Sequence, residues 1–172
     1  VRDQVYAGAE SEDPTASRIV SRTRGQILVA MDGDQTAPVK AFYHSTCGGM
    51  TDSPARVFGK IQPGLKRGVI CTSCKSSPRF RWQLRLSDLE LKNIFGFKVS
   101  KIEILSSWSS GRVRKIALYR TGNSLPVKQI SATELRNKLG VERMRSTAFT
   151  VEHDPEGYMI LSGRGNGHGV GM

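Results

Sequence analysis

The chain has 172 residues, enough for one domain with a real hydrophobic core or for two very small ones. Hydrophobic residues make up 38% and charged residues 24%, and the 18 glycines favour many turns and strands over a helical bundle. The net charge of +11 favours polyanionic partners such as nucleic acid, anionic lipid or an anionic wall polymer, although a solvated basic surface accounts for it equally well.

The two ends of the chain read as cut ends. Val1 is followed by polar residues, so no signal peptide opens the chain, and no stretch approaches the roughly 20 apolar residues of a membrane span. The last ten residues, GRGNGHGVGM, have the composition of a loop interior. We therefore expect residues 1–172 to be a single domain that is truncated at both ends.

The first half of the chain is predicted to contain one helix and one hairpin after an irregular segment over residues 1–12. Asp13 and Pro14 suit the N-cap and first position of a short helix that Gly25 ends. In QILVAMDGDQTAPVKAFYH, the segments ILVAM and VKAFY resemble strands and DGDQ supplies the turn. The polar stretch HSTCGGMT at 44–51 is therefore expected where a strand ends.

A long loop is predicted over residues 59–78, which are rich in Gly, Pro, Lys and Ser and contain CTSC at 71–74. A loop of this length without secondary structure is usually functional or held in place by something.

The second half is predicted to alternate strands with two capped helices. RFRWQLRL alternates apolar and polar residues with a period of two, as half-buried strands do. Two capping boxes each start a helix that ends at a glycine: Ser87 with Glu90 before Gly96, and Ser131 with Glu134 before Gly140. Further strands are predicted in VSKIEILSS, RVRKIALYR, VKQI, AFTVEHD and YMILSG. Many short strands with about three short helices predict an α+β fold with mainly antiparallel strands.

Two pairs of potential metal ligands are present, one before the long loop and one within it. His44 and Cys47 form HxxC, Cys71 and Cys74 form CxxC, and 23 residues separate Cys47 from Cys71. A structural zinc site uses four N or S ligands in a tetrahedron, commonly as two close pairs, and this set uses every cysteine. We expect zinc, which would pin the long loop. The alternative is a disulfide or redox pair between Cys71 and Cys74, with Cys47 buried and His44 in another role.

Nucleophilic catalysis is a weaker interpretation of the same stretch. Cys47 near His44 could mimic a cysteine-hydrolase dyad, but neighbours on a turn rarely have the required orientation, and Ser45 or Thr46 is weaker still. In GRGNGHGVGM the glycines allow close approach to a ligand, yet the Lys-Ser/Thr of a P-loop is missing. His168, inside this glycine-rich stretch, is a candidate site residue.

YHSTCGGMT and GRGNGHGVGM together resemble the stage II sporulation protein D family, whose domain is also called the amidase-enhancer domain. Members show [FY]-H-S-[ST]-x-G-G-x-T, matched at 43–51, and G-x-G-x-GHGVGM, matched at 163–172. Cys47 stands where many relatives carry Ser or Asn. Weaker matches elsewhere are QVYAG at 4–8, TRG at 23–25, RW at 81–82, GRV at 111–113 and S-x-x-F at 146–149.

The resemblance implies an exported bacterial protein of the cell envelope that acts on peptidoglycan, with any membrane anchor in segments outside this chain. Studied members resemble lytic transglycosylases that cleave glycan strands, preferring strands without stem peptides; others enhance a wall amidase, and in spore formers the domain serves engulfment. A glutamic acid protonates the glycosidic oxygen, and the 6-hydroxyl of the sugar closes an anhydro ring. In the family this glutamate lies upstream of the QVY match, so no catalytic residue is expected in this chain.

The resemblance also implies site residues. His44, Ser45, Thr46 and His168 would line the substrate cleft. Because some relatives bind zinc, a scaffolding zinc is favoured over a catalytic one. His44 is then either a ligand beside Cys47 or a cleft residue, with His168, an acidic side chain or water as fourth ligand.

Three functions remain open on the sequence. The first is a peptidoglycan lytic transglycosylase, and the second is a non-catalytic wall-binding or amidase-enhancing module. A zinc-stabilised nucleic-acid binder is the remote third, because it explains the charge and CxxC but not GHGVGM. We therefore expect glycan strands, and a cell-wall amidase, rather than nucleic acid as partners.

Overall fold

The computed structural model describes residues 8–171, except for the side chain of Asp32, and the fold is α+β. Most of the irregular segment predicted over 1–12, the QVYAG match up to residue 7 and the last residue of GRGNGHGVGM lie outside the described residues. Within residues 8–12 the chain forms one 3-10 turn, Ala9–Ser11.

The described residues form four α-helices and eight strands. The helices are α1 (Pro14–Arg22), α2 (Pro54–Phe58), α3 (Asp88–Phe95) and α4 (Ala132–Leu139). The strands are β1 (Val29–Asp32), β2 (Gln35–Pro38), β3 (Arg81–Leu86), β4 (Val99–Ser107), β5 (Val113–Arg120), β6 (Lys128–Ser131), β7 (Phe149–His153) and β8 (Met159–Arg164). They pair as a β1–β2 hairpin and two three-stranded sheets, in the orders β3–β8–β7 and β4–β5–β6, and every one of these pairings is antiparallel.

One hydrophobic cluster joins both three-stranded sheets to α3 and α4. Strand β3 shows the expected period of two, because Trp82, Leu84 and Leu86 are buried while the residues between them are exposed. Leu91 of α3 and Leu135 of α4 are 1% and 0% exposed. Each fully buried side chain of this size stabilises the fold by about 1.5–3 kcal/mol, so the cluster is the rigid base of the molecule.

The predicted helix starts are confirmed. Asp13 accepts a hydrogen bond from the Ala16 N–H (2.8 Å), and Pro14 is the first residue of α1. Ser87 and Ser131 each accept from the N–H three residues on. Side-chain caps of this kind satisfy backbone donors that the first helical turn leaves without partners.

One local prediction is wrong and one element was missed. VKAFY is not a strand: the turn is the two residues 33–34, so β2 begins at Gln35 and ends at Pro38, and beyond it only Val39 forms a backbone hydrogen bond, to Leu28 (2.8 Å). Helix α2 was not predicted; it begins at Pro54 and ends at Gly59, whose φ of 69° is left-handed. The long loop over 59–78 contains no helix or strand, as predicted.

No helix formed by the described residues combines the length and the apolar character needed to cross a membrane.

Candidate functional site

The two sequence motifs meet in space through their backbones. The Thr46 N–H donates to the Asn166 carbonyl (3.1 Å), and the Asn166 N–H donates back to Thr46 (2.8 Å). Further along, the Asp52 N–H donates to the Gly169 carbonyl (2.8 Å). HSTCGGMT and GRGNGHGVG therefore form one unit, which we call the paired motifs (residues 44–52 and 163–171).

Glycine is required where these two backbones touch. A Cβ on Gly48 would lie 2.9 Å from the Arg164 carbonyl oxygen, and a Cβ on Gly165 would lie 2.9 Å from that of Thr46. Both glycines also have left-handed φ, 79° and 85°, which side chains disfavour. The glycines of the two motifs thus serve close backbone contact between the segments.

Arg112 is a buried cation that contacts both motifs. It is 2% exposed, and its Nη2 donates to the Cys47 carbonyl (2.9 Å). Its guanidinium occupies the space that a side chain at Gly169 would take. Burial lowers the pKa of Arg112 to about 10, while the charge of Asp52 acts in the opposite direction. The side chain therefore remains charged at neutral pH.

Asp52 is the buried counter-charge, with 1% exposure. Its carboxylate accepts hydrogen bonds from the Ser110 hydroxyl and from Arg56 Nη1 (3.3 Å). Ser110 precedes the GRV match and Arg112 is its central residue, so this weak sequence feature lies directly against the paired motifs. The Asp52 carboxylate is buried and hydrogen-bonded, as buried polar groups of structural importance usually are.

The two candidate histidines lie side by side, with ring centroids 5.4 Å apart. His44 Nδ1–H donates to the Val170 carbonyl (2.8 Å), which leaves Nε2 as its acceptor nitrogen. His168 uses both nitrogens on backbone: Nε2–H donates to the Tyr43 carbonyl (2.8 Å), and Nδ1 accepts from the Val170 N–H (3.0 Å). Burial lowers the pKa of both histidines, so both rings are neutral at pH 7.

Aromatic side chains surround this histidine pair. The rings of Phe42 and Phe58 lie 6.3 and 5.1 Å from the ring of His168. Phe58 is the last residue of α2, so this short helix serves to place an aromatic ring at the site. Tyr43 lies between Phe42 and His44 in the sequence. It is 73% exposed, and His168 binds its backbone carbonyl rather than its ring. The result is an open aromatic surface next to a neutral imidazole.

The predicted cleft hydroxyls have different surroundings. Ser45 is exposed and adjoins the histidines in sequence. Thr46 is only 1% exposed, and its hydroxyl lies 3.3 Å from that of Ser77. Ser45 is therefore accessible to a ligand, whereas the Thr46 side chain does not line an open surface.

The three cysteines come together beside the paired motifs. The sulfur atoms of Cys47, Cys71 and Cys74 all lie within 4.8 Å of one another, and all three are free thiols. Backbone bonds hold the long loop in this place: Cys71 N–H donates to Gly49 O (3.0 Å), and Thr51 N–H donates to Val69 O (2.9 Å). The structure thus brings together the three predicted sulfur ligands, and the backbone hydrogen bonds hold the long loop beside the paired motifs.

This thiol group fits a tetrahedral metal ion. Zn–S bonds of about 2.3 Å at tetrahedral angles place sulfur atoms about 3.8 Å apart, a spacing compatible with three sulfur atoms that all lie within 4.8 Å of one another. Burial raises the pKa of the Cys47 thiol to about 11, so a cation is needed to hold it as thiolate. Among the described residues the group contains no histidine. The assignment of His44 as a ligand stays a prediction, and its Nδ1 is already bound to Val170.

Two weaker sequence matches form the support behind the terminal motif. Trp82 Nε1–H donates to the Ser146 hydroxyl (3.2 Å), and that hydroxyl donates to the Arg164 carbonyl (2.6 Å). The matches RW at 81–82 and S-x-x-F at 146–149 are thus connected to each other and to GRGNGHG. They tie the site to the hydrophobic cluster, of which Trp82 is a member.

A groove of about 750 Å³ adjoins the paired motifs. Side chains of β3, β7 and β8 line it, among them Arg81, Gln83, Thr150, Ser162 and Arg164. Arg164 belongs to both the groove and the terminal motif, so the two features are continuous.

Sequence reasoning did not single out Arg112 or Asp52, although they are the largest electrostatic feature of the site. Only the weak GRV match pointed to that region. A charged residue inside a strand pattern is normally assigned to the solvent face, and its burial here depends on a contact between distant segments.

Comparison with known proteins places the chain among proteins without a described activity. A protein-family model described as "Domain of unknown function (DUF8618)" matches residues 71–171, which is more than half of the chain. The chain is also similar to Uncharacterized protein BHWA1_00569 of Brachyspira hyodysenteriae (strain ATCC 49526 / WA1), with 31% identity over 175 residues and 98% of this chain covered. The match covers 44% of that relative, so the chain spans less than half of its length.

Proposed function

The chain belongs to the DUF8618 domain family, and we propose that it binds the glycan strands of peptidoglycan at the paired motifs. The observation that carries this proposal is the convergence of the two motifs. The sequence resemblance to the stage II sporulation protein D family rests on HSTCGGMT and GRGNGHGVGM, and these segments, 120 residues apart between Thr46 and Asn166, pair directly. Two polar segments that pair directly and form one surface are suited to a shared ligand.

The exposed groups of this surface suit a sugar. The Tyr43 ring offers an open aromatic face, Ser45 offers a hydroxyl, and the neutral His44 ring offers an acceptor nitrogen. His168 acts differently from the predicted cleft role: with both nitrogens bound to backbone, it orients the Tyr43 and Val170 segments.

Glycan cleavage in the manner of a lytic transglycosylase is the activity that the resemblance favours. That reaction needs a carboxylic acid that protonates the glycosidic oxygen. Asp52 is the one carboxylate in the sequence of the paired motifs, and it is buried and bound by Ser110 and Arg56. The residues of this surface therefore bind and orient the strand, and an acid from elsewhere in the protein has to supply the proton.

The state of Asp52 also favours a second candidate, a non-catalytic wall-binding module that enhances an amidase. In that case the paired motifs present the strand to a partner enzyme and break no bond themselves. The two candidates share the binding surface and differ only in where the acid comes from.

Zinc is the metal that suits the three-thiol group, because Cys47, Cys71 and Cys74 offer soft ligands in a tetrahedral arrangement. Bound there, zinc would link the HSTCGGMT turn to the CTSC loop and stabilise the fold. Its role in this proposal is structural, because the three thiols would join a turn and a loop that has no helix or strand of its own.

An exported protein of the cell envelope is the setting that this function requires. The charge of +11 suits an anionic wall, and binding is then expected to weaken with added salt. The same charge would suit nucleic acid, but the paired motifs are centred on a neutral histidine pair beside an open ring rather than on an extended basic track.

The proposal is tested by co-sedimentation with purified, protein-free peptidoglycan. Tyr43→Ala removes an exposed ring and leaves the carbonyl that His168 binds. The affinity derived from the bound fraction is expected to fall about tenfold, which is the scale of one stacked ring. Leu125→Ala, which truncates an exposed side chain between β5 and β6, is the matched control and should bind like the wild type. Equal binding by both variants and the wild type would contradict the proposal.

The two candidate activities are separated by digestion of peptide-free glycan strands with the product of the complete gene. Anhydro-sugar ends, detected by mass spectrometry, are expected for a lytic transglycosylase. Binding without such ends would leave the amidase-enhancing module.

A further inference from the structure

An unneutralised pair of arginines lies on the exposed face of the β3–β8–β7 sheet. Arg81 and Arg164 are directly opposite each other in the antiparallel register. Like charges in this position repel and destabilise a sheet unless something compensates them. Neither has a carboxylate partner among the ion pairs of the described residues.

The next arginine on the same face is neutralised, which makes the pair exceptional. Arg85 lies two pleats along β3 from Arg81, and it pairs with Asp154 (2.9 Å) and Glu156 (2.6 Å). The chain thus neutralises Arg85 with two carboxylates of its own. At Arg81 and Arg164 the positive charge is left available.

The surroundings of the arginine pair form a built groove. Its volume of about 750 Å³ lies within the range of ligand sites. Gln83, Ser162 and Thr150 cross the groove in one row of the three strands, and Gln83 Nε2 donates to the Ser162 hydroxyl (3.2 Å). Amide and hydroxyl groups in a concave, cationic setting are suited to a polyhydroxylated ligand with a negative charge.

Arg164 is held at the end of this groove by backbone contacts. Its Nη2 donates to the Ser110 carbonyl (3.4 Å) and passes beside Gly111, where a Cβ would lie 2.7 Å away. Gly111 also has a left-handed φ of 79°. Gly111, the glycine of the GRV match, therefore leaves room for the Arg164 side chain. It also directly precedes the buried Arg112.

We propose that Arg81 and Arg164 form a carboxylate-binding subsite for an acidic glycan strand, which lies in this groove and continues onto the paired motifs. The inference rests on the proposed function and adds the chemical group that is recognised. Guanidinium groups bind carboxylates through two parallel, charge-assisted hydrogen bonds, and Gln83, Thr150 and Ser162 would bind the hydroxyl groups of the adjoining sugar.

An acidic glycan suits the groove better than a nucleic acid does. A nucleic acid carries a phosphate at every nucleotide and is bound by extended basic tracks, with bases stacked on exposed aromatic rings. Here the groove contains one cross-strand pair of arginines rather than an extended basic track, and its aromatic residues, Trp82 and Phe149, are 7% and 6% exposed. One charge between hydroxyl-bearing units matches a saccharide that is acidic at intervals.

The test uses two forms of one ligand: peptide-free peptidoglycan strands with their lactyl carboxylates intact, and the same strands with these groups converted to methylamides. Wild-type chain should bind the carboxylate form about tenfold more tightly, as expected for one charge-assisted contact. The variant Arg81→Gln/Arg164→Gln should lose this preference and bind both forms like the methylamide form. The control Lys115→Gln/Arg120→Gln removes the same charge from exposed positions of β5 and should keep the preference.

The outcomes separate the inference from the function on which it rests. Equal binding of both strand forms by the wild type would overturn the subsite and leave glycan binding intact. No binding of either form would overturn both. Tighter binding of single-stranded DNA than of the strands, lost in the double variant, would assign the groove to nucleic acid instead. The comparison of the two ligand forms by the wild type alone decides the question if the double variant does not fold.

Discussion

At the scale of single residues, the site depends on a buried charge. Arg112 contacts the Cys47 carbonyl and packs against Gly169, so one side chain touches both halves of the paired motifs. Two of its nitrogens, Nε and Nη1, have no hydrogen-bond partner within the described residues. A buried guanidinium with incomplete hydrogen bonding costs stability. Here Arg112 also has a structural role, because it holds two distant segments in register.

Replacing Arg112 by Met is expected to lower the free energy of unfolding by about 3 kcal/mol, because it removes the hydrogen bond to the Cys47 carbonyl and leaves the buried Asp52 with the partly exposed Arg56 as its cation. Urea denaturation followed by tryptophan fluorescence measures this. Arg120→Met, at the exposed end of β5, is the control and should change the value by less than about 0.5 kcal/mol. Equal effects of the two substitutions would contradict the role given to Arg112.

His168 makes the fold sensitive to mild acid. Burial lowers its pKa in the folded state below the ordinary 6.5, with smaller contributions from the charges of His44 and Arg112. Below pH 6.5 the unfolded chain therefore binds a proton that the folded chain resists, and a proton on Nδ1 would break the bond from the Val170 N–H. Above pH 6.5 both states are neutral and this contribution to the pH dependence vanishes.

The free energy of unfolding is therefore expected to fall as the pH is lowered from 7.5 to 5.5, a range in which ordinary carboxylates stay ionised. His168→Gln should reduce this slope, although it lowers stability at pH 7.5. His153→Gln, at the exposed end of β7, should leave the slope unchanged. The idea fails if the slope is the same in all three proteins.

At the scale of elements, the sequence predicted best what is decided locally. The capped helices α1, α3 and α4 and the alternating strand β3 follow from neighbouring residues, and all four are present. The segment VKAFY failed because the β1–β2 ladder ends at Pro38, and only Val39 of the segment adds one further backbone hydrogen bond, to Leu28. Helix α2 was missed because five residues carry no periodic signal and its N-cap residue, Ser53, forms no side-chain cap.

The thiol and histidine residues of the candidate site could be predicted from the sequence, but Arg112, Asp52 and the assembly of the site could not. The thiol group was foreseen from spacing, since a CxxC pair and one more cysteine suggest a common metal. The pairing of Thr46 with Asn166 and the burial of Thr46 were not foreseen, because they depend on a contact between segments 120 residues apart. No local pattern encodes such a contact.

The variant Cys74→Ser tests both metal binding by the thiol group and the effect of that metal on the long loop. If zinc links the loop to the HSTCGGMT turn, metal content should fall from about one ion per chain to nearly none. Hydrogen exchange in residues 59–78 should become faster, because the loop has no secondary structure to protect it. Ser73→Ala, inside the same CTSC stretch, should keep both metal and protection.

A Cys74→Ser protein that retains a full complement of zinc would contradict the ligand set. His44→Ala, analysed in the same way, decides whether the histidine is the fourth ligand. Loss of metal in that variant would assign it, and retention would leave water or another side chain in that position.

At the scale of the whole molecule, two parts with different construction meet at the site. The sheets β3–β8–β7 and β4–β5–β6 with α3 and α4 hold the hydrophobic cluster, whereas residues 42–78 are fixed mainly by backbone pairing, buried charge and the thiol group. Among the arginines and lysines that the structure describes, Arg112 alone is buried, so the other described positive charges lie at the surface of the molecule.

The central claim is that the two motifs form one glycan-binding surface. It is tested most directly by titrating the isotope-labelled chain with peptide-free glycan strands and following its backbone amide signals by NMR. If the two motifs form one binding surface, backbone amide signals from residues 43–52 and 163–171 shift together, with one common affinity. Shifts confined to the β4–β5–β6 sheet, or the absence of shifts at saturating glycan, would contradict it.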